Sequence, residues 1–183
     1  MHLLFPGKLT EENVFRNIRH DLAVYGGDWS CQGFWVMLVY RFGRWRYRFK
    51  QGLVRKPLSL IYKLFYKAVQ IVTGIELPCE VNVGRNFRID HFGGVIISGY
   101  ASFGDNCIIR NGVTIGLKNL DEKKAPHIGS NVNIGAGAKL LGAITIGDDV
   151  DIGANAVVLE NVPDSSLAVG IPARIILKKS KNS

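Results

Sequence analysis

From Val83 onward a large apolar residue returns every six positions: Val83 and Ile89, then Ile97, Phe103, Ile109 and Ile115, then Ile128, Ile134, Leu140, Ile146, Ile152 and Val158. Glycine follows directly at Gly84, Gly104, Gly116, Gly129, Gly135, Gly147 and Gly153. Four places after the aliphatic come small or apolar residues, among them Ala101, Cys107, Val113, Ala138 and Ala156. The frame breaks twice, with two extra residues between Ile89 and Ile97 and seven between Ile115 and Ile128. An amphipathic helix would repeat at three and four residues, and an alternating strand needs no glycine at every sixth place. A period of six is that of a solenoid. Each hexapeptide is a short strand and a turn, three make a triangular coil, and stacked coils line the interior with the aliphatics. Twelve hexapeptides predict four coils. Periodicity leaves the hand of the coil open, although parallel crossovers are normally right-handed.

The part before Val83 reads differently. Helices are predicted over Glu11 to Tyr25, Gly33 to Phe49, and Pro57 to Val72 with Pro57 at its start. The chain thus divides into a helical region at 1–75, a β-helix at 76–162 carrying a loop at 117–127, and a C-terminal segment at 163–183. Val162 to Ile176 is read as leaving the repeat, and Lys178 to Ser183 as a frayed tail. Cys31, Cys79 and Cys107 lack CxxC spacing, so they are expected to be reduced, with Cys107 in the core. No signal peptide is read at the start, and the longest apolar run, Phe34 to Tyr40, is too short to span a bilayer, so a cytoplasmic location is expected.

The formal charge of +8 points to an anionic partner. Trp29 to Ile75 holds nine Lys and Arg residues and no Asp or Glu, with aromatics interleaved. That composition suits either a solvated helix face or a basic amphipathic surface that touches anionic lipid or a lipid-linked saccharide. No nucleic-acid recognition motif accompanies it.

Four stretches carry a resemblance: Gln32-Gly33-Phe34 through Gly43-Arg44-Trp45; Ile89-Asp90-His91 with Gly93-Gly94; Gly112-Val113-Thr114-Ile115-Gly116; and Val169-Gly170-Ile171-Pro172-Ala173-Arg174. In order and spacing the sequence, over roughly Asp21 to Leu177, resembles the serine acetyltransferase branch of the hexapeptide-repeat acyltransferases. The resemblance implies a mainly β protein, a left-handed parallel β-helix with an N-terminal α-helical cap, assembled as a homotrimer. It implies acetyl-CoA as co-substrate, no metal, and active sites between neighbouring coils. Two departures stand out. The family's extended loop ends in Arg-His-Pro, whose His contacts the acceptor; with Pro126 aligned to that Pro, Ala125 takes the His position and His127 lies two residues beyond. The long N-terminal helical region that joins two trimers in the family is largely missing from this sequence.

A hydroxyl attacking a thioester needs a base for its proton and donors for the oxyanion. No Ser or Cys nucleophile sits in a matching motif, so direct transfer is expected. His91, at the two-residue break with glycines behind it, is the expected base, since imidazole titrates near neutral pH. By the resemblance, Glu76 supplies the carboxylate that orients it, and Asp90, Asp28 and His127 are acceptor contacts. Ala136 and Ala154 are small residues beside which pantetheine amides meet backbone; Gly116 borders the groove, and Arg174 meets the CoA phosphates. The altered loop and the basic cap favour a sugar hydroxyl of a surface polysaccharide or lipid-linked glycan as acceptor, with L-serine the alternative. Of the other classes on this fold, a zinc carbonic anhydrase needs three His where the repeat region offers only His91 and His127. The intact Asp90-His91 break argues against a non-catalytic scaffold.

Overall fold

A computed structural model describes residues 14–119 and 121–178. Three helices come first: α1 (Val14–Val24), α2 (Gln32–Trp45), extended by a short 3-10 turn over Arg46–Arg48, and α3 (Gly52–Thr73). The start of the first predicted helix, from Glu11 to Asn13, lies outside the described residues. Pro57 falls inside α3 rather than at its head. Its missing N–H removes one bond to the preceding turn, on an exposed stretch of helix where water reaches the freed carbonyl.

Short strands follow: β1 (Ile75–Glu76), β2 (Arg88–Asp90), β3 (Val95–Ile97), β4 (Ser102–Phe103), β5 (Ile108–Arg110), β6 (Thr114–Gly116), β7 (His127–Ile128), β8 (Asn133–Ile134), β9 (Lys139–Leu141), β10 (Thr145–Ile146), β11 (Asp151–Ile152), β12 (Val157–Val158), β13 (Ser166–Val169) and β14 (Arg174–Leu177). They form a triangular prism. One face stacks β1, β3, β6, β9 and β12; the second stacks β4, β7 and β10; the third stacks β2, β5, β8, β11 and β13, with β14 beyond. All pairs are parallel except β13 with β14. The six-residue aliphatics, such as Ile109, Ile115, Ile134 and Ile146, are wholly buried inside.

The first face has five strands, so the chain makes five coils where four were expected. Two irregularities hid the extra coil. Before Val83 the buried residues Ile75, Leu77, Cys79 and Val81 alternate at two, which masks a period of six. After Val158 the coil continues through Val162, bridged to Ile146, and Ala168, paired with Ile152, but the step from Val158 to Val162 is four residues and shifts the frame. Lys178 is not a loose tail residue: its Nζ donates to the Asp149 carbonyl at 2.6 Å and pairs with Asp151 at 2.9 Å.

The residues four places after each aliphatic, such as Cys107, Val113 and Val132, fill the corners from inside. The turning is done by left-handed residues stacked coil upon coil. At the corner leading into the third face these are Asn86, Asn106, Asn131, Asp149 and Ser165, with φ between 51° and 60°. Asn and Asp tolerate this region far better than other L-residues. Their side chains join them vertically: Asn86 Nδ2 donates to Asn106 Oδ1 (2.6 Å), Asn106 to Asn131 (2.8 Å) and Asn131 to Asp149 (3.0 Å). His20 of α1 meets the top of this ladder, Nε2 to Asn86 Oδ1 at 2.7 Å. Glycine behind most of these aliphatics has a steric cause, Gly116 with open space around it being the exception: a Cβ on Gly104 would come within 2.7 Å of the Gly129 backbone one coil below.

Three tyrosines, one from each helical segment, seat the cap on the first coil. The Ile89 amide donates to Tyr25 Oη (3.0 Å), Tyr40 Oη donates to the Val81 carbonyl (2.9 Å), and the Cys79 amide donates to Tyr62 Oη (3.1 Å). A buried pair, Arg41 to both oxygens of Asp21 at 2.7 and 3.0 Å, ties α1 to α2.

Asn106→Ala removes two ladder bonds and puts a Cβ with no compensating polar group at positive φ. A loss of about 2 kcal/mol is expected from urea unfolding, and Asn106→Gly, which relieves the backbone, should lose about half as much.

Candidate active site

At the corner from the third face to the first, most coils turn through a left-handed residue: Gly74, Gly94, Gly112, Gly137 and Asn155 stack there, with φ from 56° to 74°. Gly112 is a case of need, since a Cβ would meet the Gly137 Cα at 3.3 Å. The two-residue break places His91 and Phe92 outside this stack. Both are exposed, and His91 itself takes φ 65°. Among the described non-glycine residues at positive φ, the others are Asn, Asp and Ser at the regular corners; His91 alone is held there by the break. The bulge is pinned on both sides: the Gly93 amide donates to the Thr73 carbonyl at the end of α3, and the Gly112 amide donates to the Gly93 carbonyl, both at 2.9 Å.

Asp90, the last residue of β2, is clasped by Arg88: Nη2 donates to Oδ2 and Nε lies by Oδ1, each at 2.8 Å. Arg110 is its register partner one coil on, and donates to Asn133 Oδ1 at 2.6 Å. Asp28 sits in the turn before α2, accepting from the Ser30 amide (2.8 Å) and hydroxyl (2.6 Å) and from the Cys31 thiol (3.4 Å). The Ser30 hydrogen bonds hold its carboxyl below the usual range. Burial, then the Asp28 hydrogen bond and the charges of Asp28 and Asp90, push the Cys31 thiol up. Cys31 therefore feels both carboxylates, and the fold brings Asp28 and Asp90 to one side of the molecule.

Two residues here were not singled out by motif. Cys31 donates to Asp28 and lies within range of the Asp90 charge. Tyr25, at the end of α1, accepts from the Ile89 amide one residue before Asp90, and burial pushes its phenol well above the usual range, with the Asp21 and Asp90 charges adding to the rise. Gly33 makes the fit possible, since a Cβ there would collide with both the Tyr25 hydroxyl and the Ile89 carbonyl.

Glu76 is half-buried in β1, opposite Ile96. It faces Tyr66 of α3, whose phenol is pushed up to about 12 by burial first and the Glu76 charge next. Glu76 and His91 flank one contact, for Gly74 packs on Gly93. Among the described residues no hydrogen bond joins them. His127 stands on the second face, Nδ1 2.5 Å from Ser102 Oγ. Within one chain it is not brought to Asp90 and His91. Ala125 packs against the core.

Of the expected cofactor contacts, Ala136 and Ala154 stack at the His91 corner, with the Asn155 amide donating to the Ala136 carbonyl at 2.8 Å. Arg174 is exposed at the far end of the same edge, where the Ala173 amide donates to the Val157 carbonyl at 2.8 Å. With about 4.8 Å per coil, His91 and Arg174 are separated along the edge by on the order of 15–20 Å, a span suited to an extended pantetheine and diphosphate. Gly116 lies at the opposite edge of the first face, its carbonyl accepting from the Gly142 amide at 2.9 Å. Among the described residues no group of three or more His, Cys, Asp or Glu could hold a metal.

Comparison with known proteins agrees with this geometry. Residues 125–160 match the family described as "Bacterial transferase hexapeptide (six repeats)". A serine acetyltransferase of Helicobacter pylori (strain ATCC 700392 / 26695) is 42% identical over 133 residues, covering 72% of this chain and 78% of that protein. One from Bacillus subtilis (strain 168) is 33% identical over 172 residues, 91% and 79% of the two chains. Among solved structures, the soybean serine acetyltransferase apoenzyme superposes with TM-score 0.76 at 28% identity, covering 89% of this chain and 69% of that one. Neisseria gonorrhoeae serine acetyltransferase in complex with serine gives 0.73 at 27%, with the same coverage.

Repeat, fold and edge together define a hexapeptide-repeat acyltransferase on a left-handed β-helix, an acetyltransferase that uses acetyl-CoA. Within that class, the chain belongs to the serine acetyltransferase family. The expected sugar acceptor is thereby corrected: relatives up to 42% identical are serine acetyltransferases. The inference leaned on the altered loop and the basic cap; a single lost contact of roughly 1–3 kcal/mol is within what another group can supply, and a basic surface does not specify the acceptor.

If His91 is the base, His91→Ala should lower kcat about a hundredfold or more with the urea midpoint little changed. Glu76→Gln should cost less, since it orients the base without carrying the proton. A steady-state assay of CoA release measures both.

Proposed function

We propose that the protein is a serine O-acetyltransferase, forming O-acetyl-L-serine and CoA. The observation that carries this is the His91 corner, set at one end of an edge that offers Ala136, Ala154 and Arg174 to acetyl-CoA, in a chain whose relatives are serine acetyltransferases. His91 takes the proton from the serine hydroxyl as its oxygen attacks the thioester carbonyl carbon. The tetrahedral intermediate collapses with cleavage of the C–S bond, and the imidazolium returns the proton to the leaving thiolate. Glu76 shares the His91 corner and orients the imidazole. Asp28 and Asp90 face the acceptor ammonium, and Arg174 meets the CoA phosphates.

The chain is a trimer in this reading. Open coil ends and flat faces favour association, and packing about a threefold sets one chain's faces against its neighbour's edges. His127 and Gly116, remote from His91 within one chain, then complete a neighbouring site. His127 stands in for the loop histidine that Ala125 replaces.

The test is kcat/KM for L-serine beside other amino acids and nucleotide- and lipid-linked sugars. L-Serine is expected to be the best acceptor, and His127→Ala should raise its KM by about ten- to a hundredfold. A better sugar acceptor sinks the reading. Light scattering at micromolar concentration should return three times the chain mass.

A further inference from the structure

Helix α3 runs for 22 residues, yet only Tyr62 and Thr73 are buried. Leu53, Leu60, Leu64 and Ile71, spaced seven, four and seven residues apart, fall on one side of it. They are 90%, 61%, 64% and 74% exposed. Lys56, Lys63 and Lys67, spaced seven and four, form a second stripe beside the first. The apolar surface continues past α3 into a groove of about 900 Å³ between the helices, whose lining includes Phe15, Trp29, Trp35 and Phe65. A stripe of this kind left in water marks an interaction surface.

Charge decides what covers it. Trp29 to Ile75 contains no Asp or Glu against nine Lys and Arg. A second copy of this face would set lysine stripes against lysine stripes with no carboxylate between them. A nucleic acid offers phosphates but no apolar phase for the leucines. An anionic bilayer offers both, and the flanking of an exposed apolar stripe by lysines is the pattern of a helix lying in the membrane interface. Among the described residues no helix is long and apolar enough to cross a membrane, so the contact is a surface one.

We propose that α3 docks the protein on an anionic lipid surface, its apolar stripe at the boundary between headgroups and acyl chains and its lysines on the headgroups. This goes beyond the acetyl-transfer reading and does not depend on the acceptor.

The test is sedimentation of the full chain with phosphatidylcholine vesicles, with and without phosphatidylglycerol, at low and high salt. Binding is expected to anionic vesicles only and to weaken with salt. Lys56→Glu/Lys63→Glu/Lys67→Glu should lower the partition constant about a hundredfold or more. Leu60→Ser/Leu64→Ser should weaken it at unchanged charge, with CoA release confirming that both variants are folded. Blue-shifted tryptophan emission on anionic vesicles reports the same contact without any substitution. Absence of binding, or equal binding to neutral vesicles, overturns the proposal. So does a native assembly larger than that of the variants, which would show that a second copy covers the face.

Discussion

Everything in this fold hangs on turning a chain through the same angle at the same height, coil after coil. Two vertical rows of left-handed residues do this. One is built of Asn and Asp, which hydrogen-bond to one another up the stack; the other is mostly glycine, packed backbone against backbone. Each row needs a conformation that most L-residues avoid. The strands, only two to four residues long, would have little cohesion unless these corners brought them into register.

The His91 corner is where that regularity is interrupted. Two extra residues leave the glycine row, and His91 emerges into solvent in a left-handed conformation. Rigidity comes from outside the coil: Thr73 holds Gly93, while Tyr25, Tyr40 and Tyr62 lock the helices to Ile89, Val81 and Cys79. The cap thus serves as a brace for the one coil that departs from the pattern.

The six-residue period, its glycines and the break at His91 were legible in the sequence because each follows from steric need repeated many times. The first and last coils were not, since Ile75 through Val83 alternates at two and Val158, Val162 and Ala168 are unevenly spaced. The corner residues Asn86, Asn106, Asn131 and Asp149 were not singled out because they are polar and exposed, and an apolar frame does not weigh them. Asp90 and His91 stood out through their place at the break. Tyr25 and Cys31 did not: Tyr25 bonds to Ile89, 64 positions away, and Cys31 comes within range of the Asp90 charge only through the fold, which no local spacing carries. The acceptor was misjudged by weighting the altered loop around Ala125 and the basic charge of the helices over the likeness of the whole chain.

The edge from His91 to Arg174 has a property of a graduated scale. Its marks are the coils, and they cannot be moved by fractions: a residue inserted at a corner bulges outward, as His91 and Phe92 do, and leaves the stack beneath undisturbed. Only a whole added or deleted coil would alter the distance between His91 and Arg174. Loops and bulges on this molecule are therefore free to vary in length, while its reach along the axis comes in whole steps.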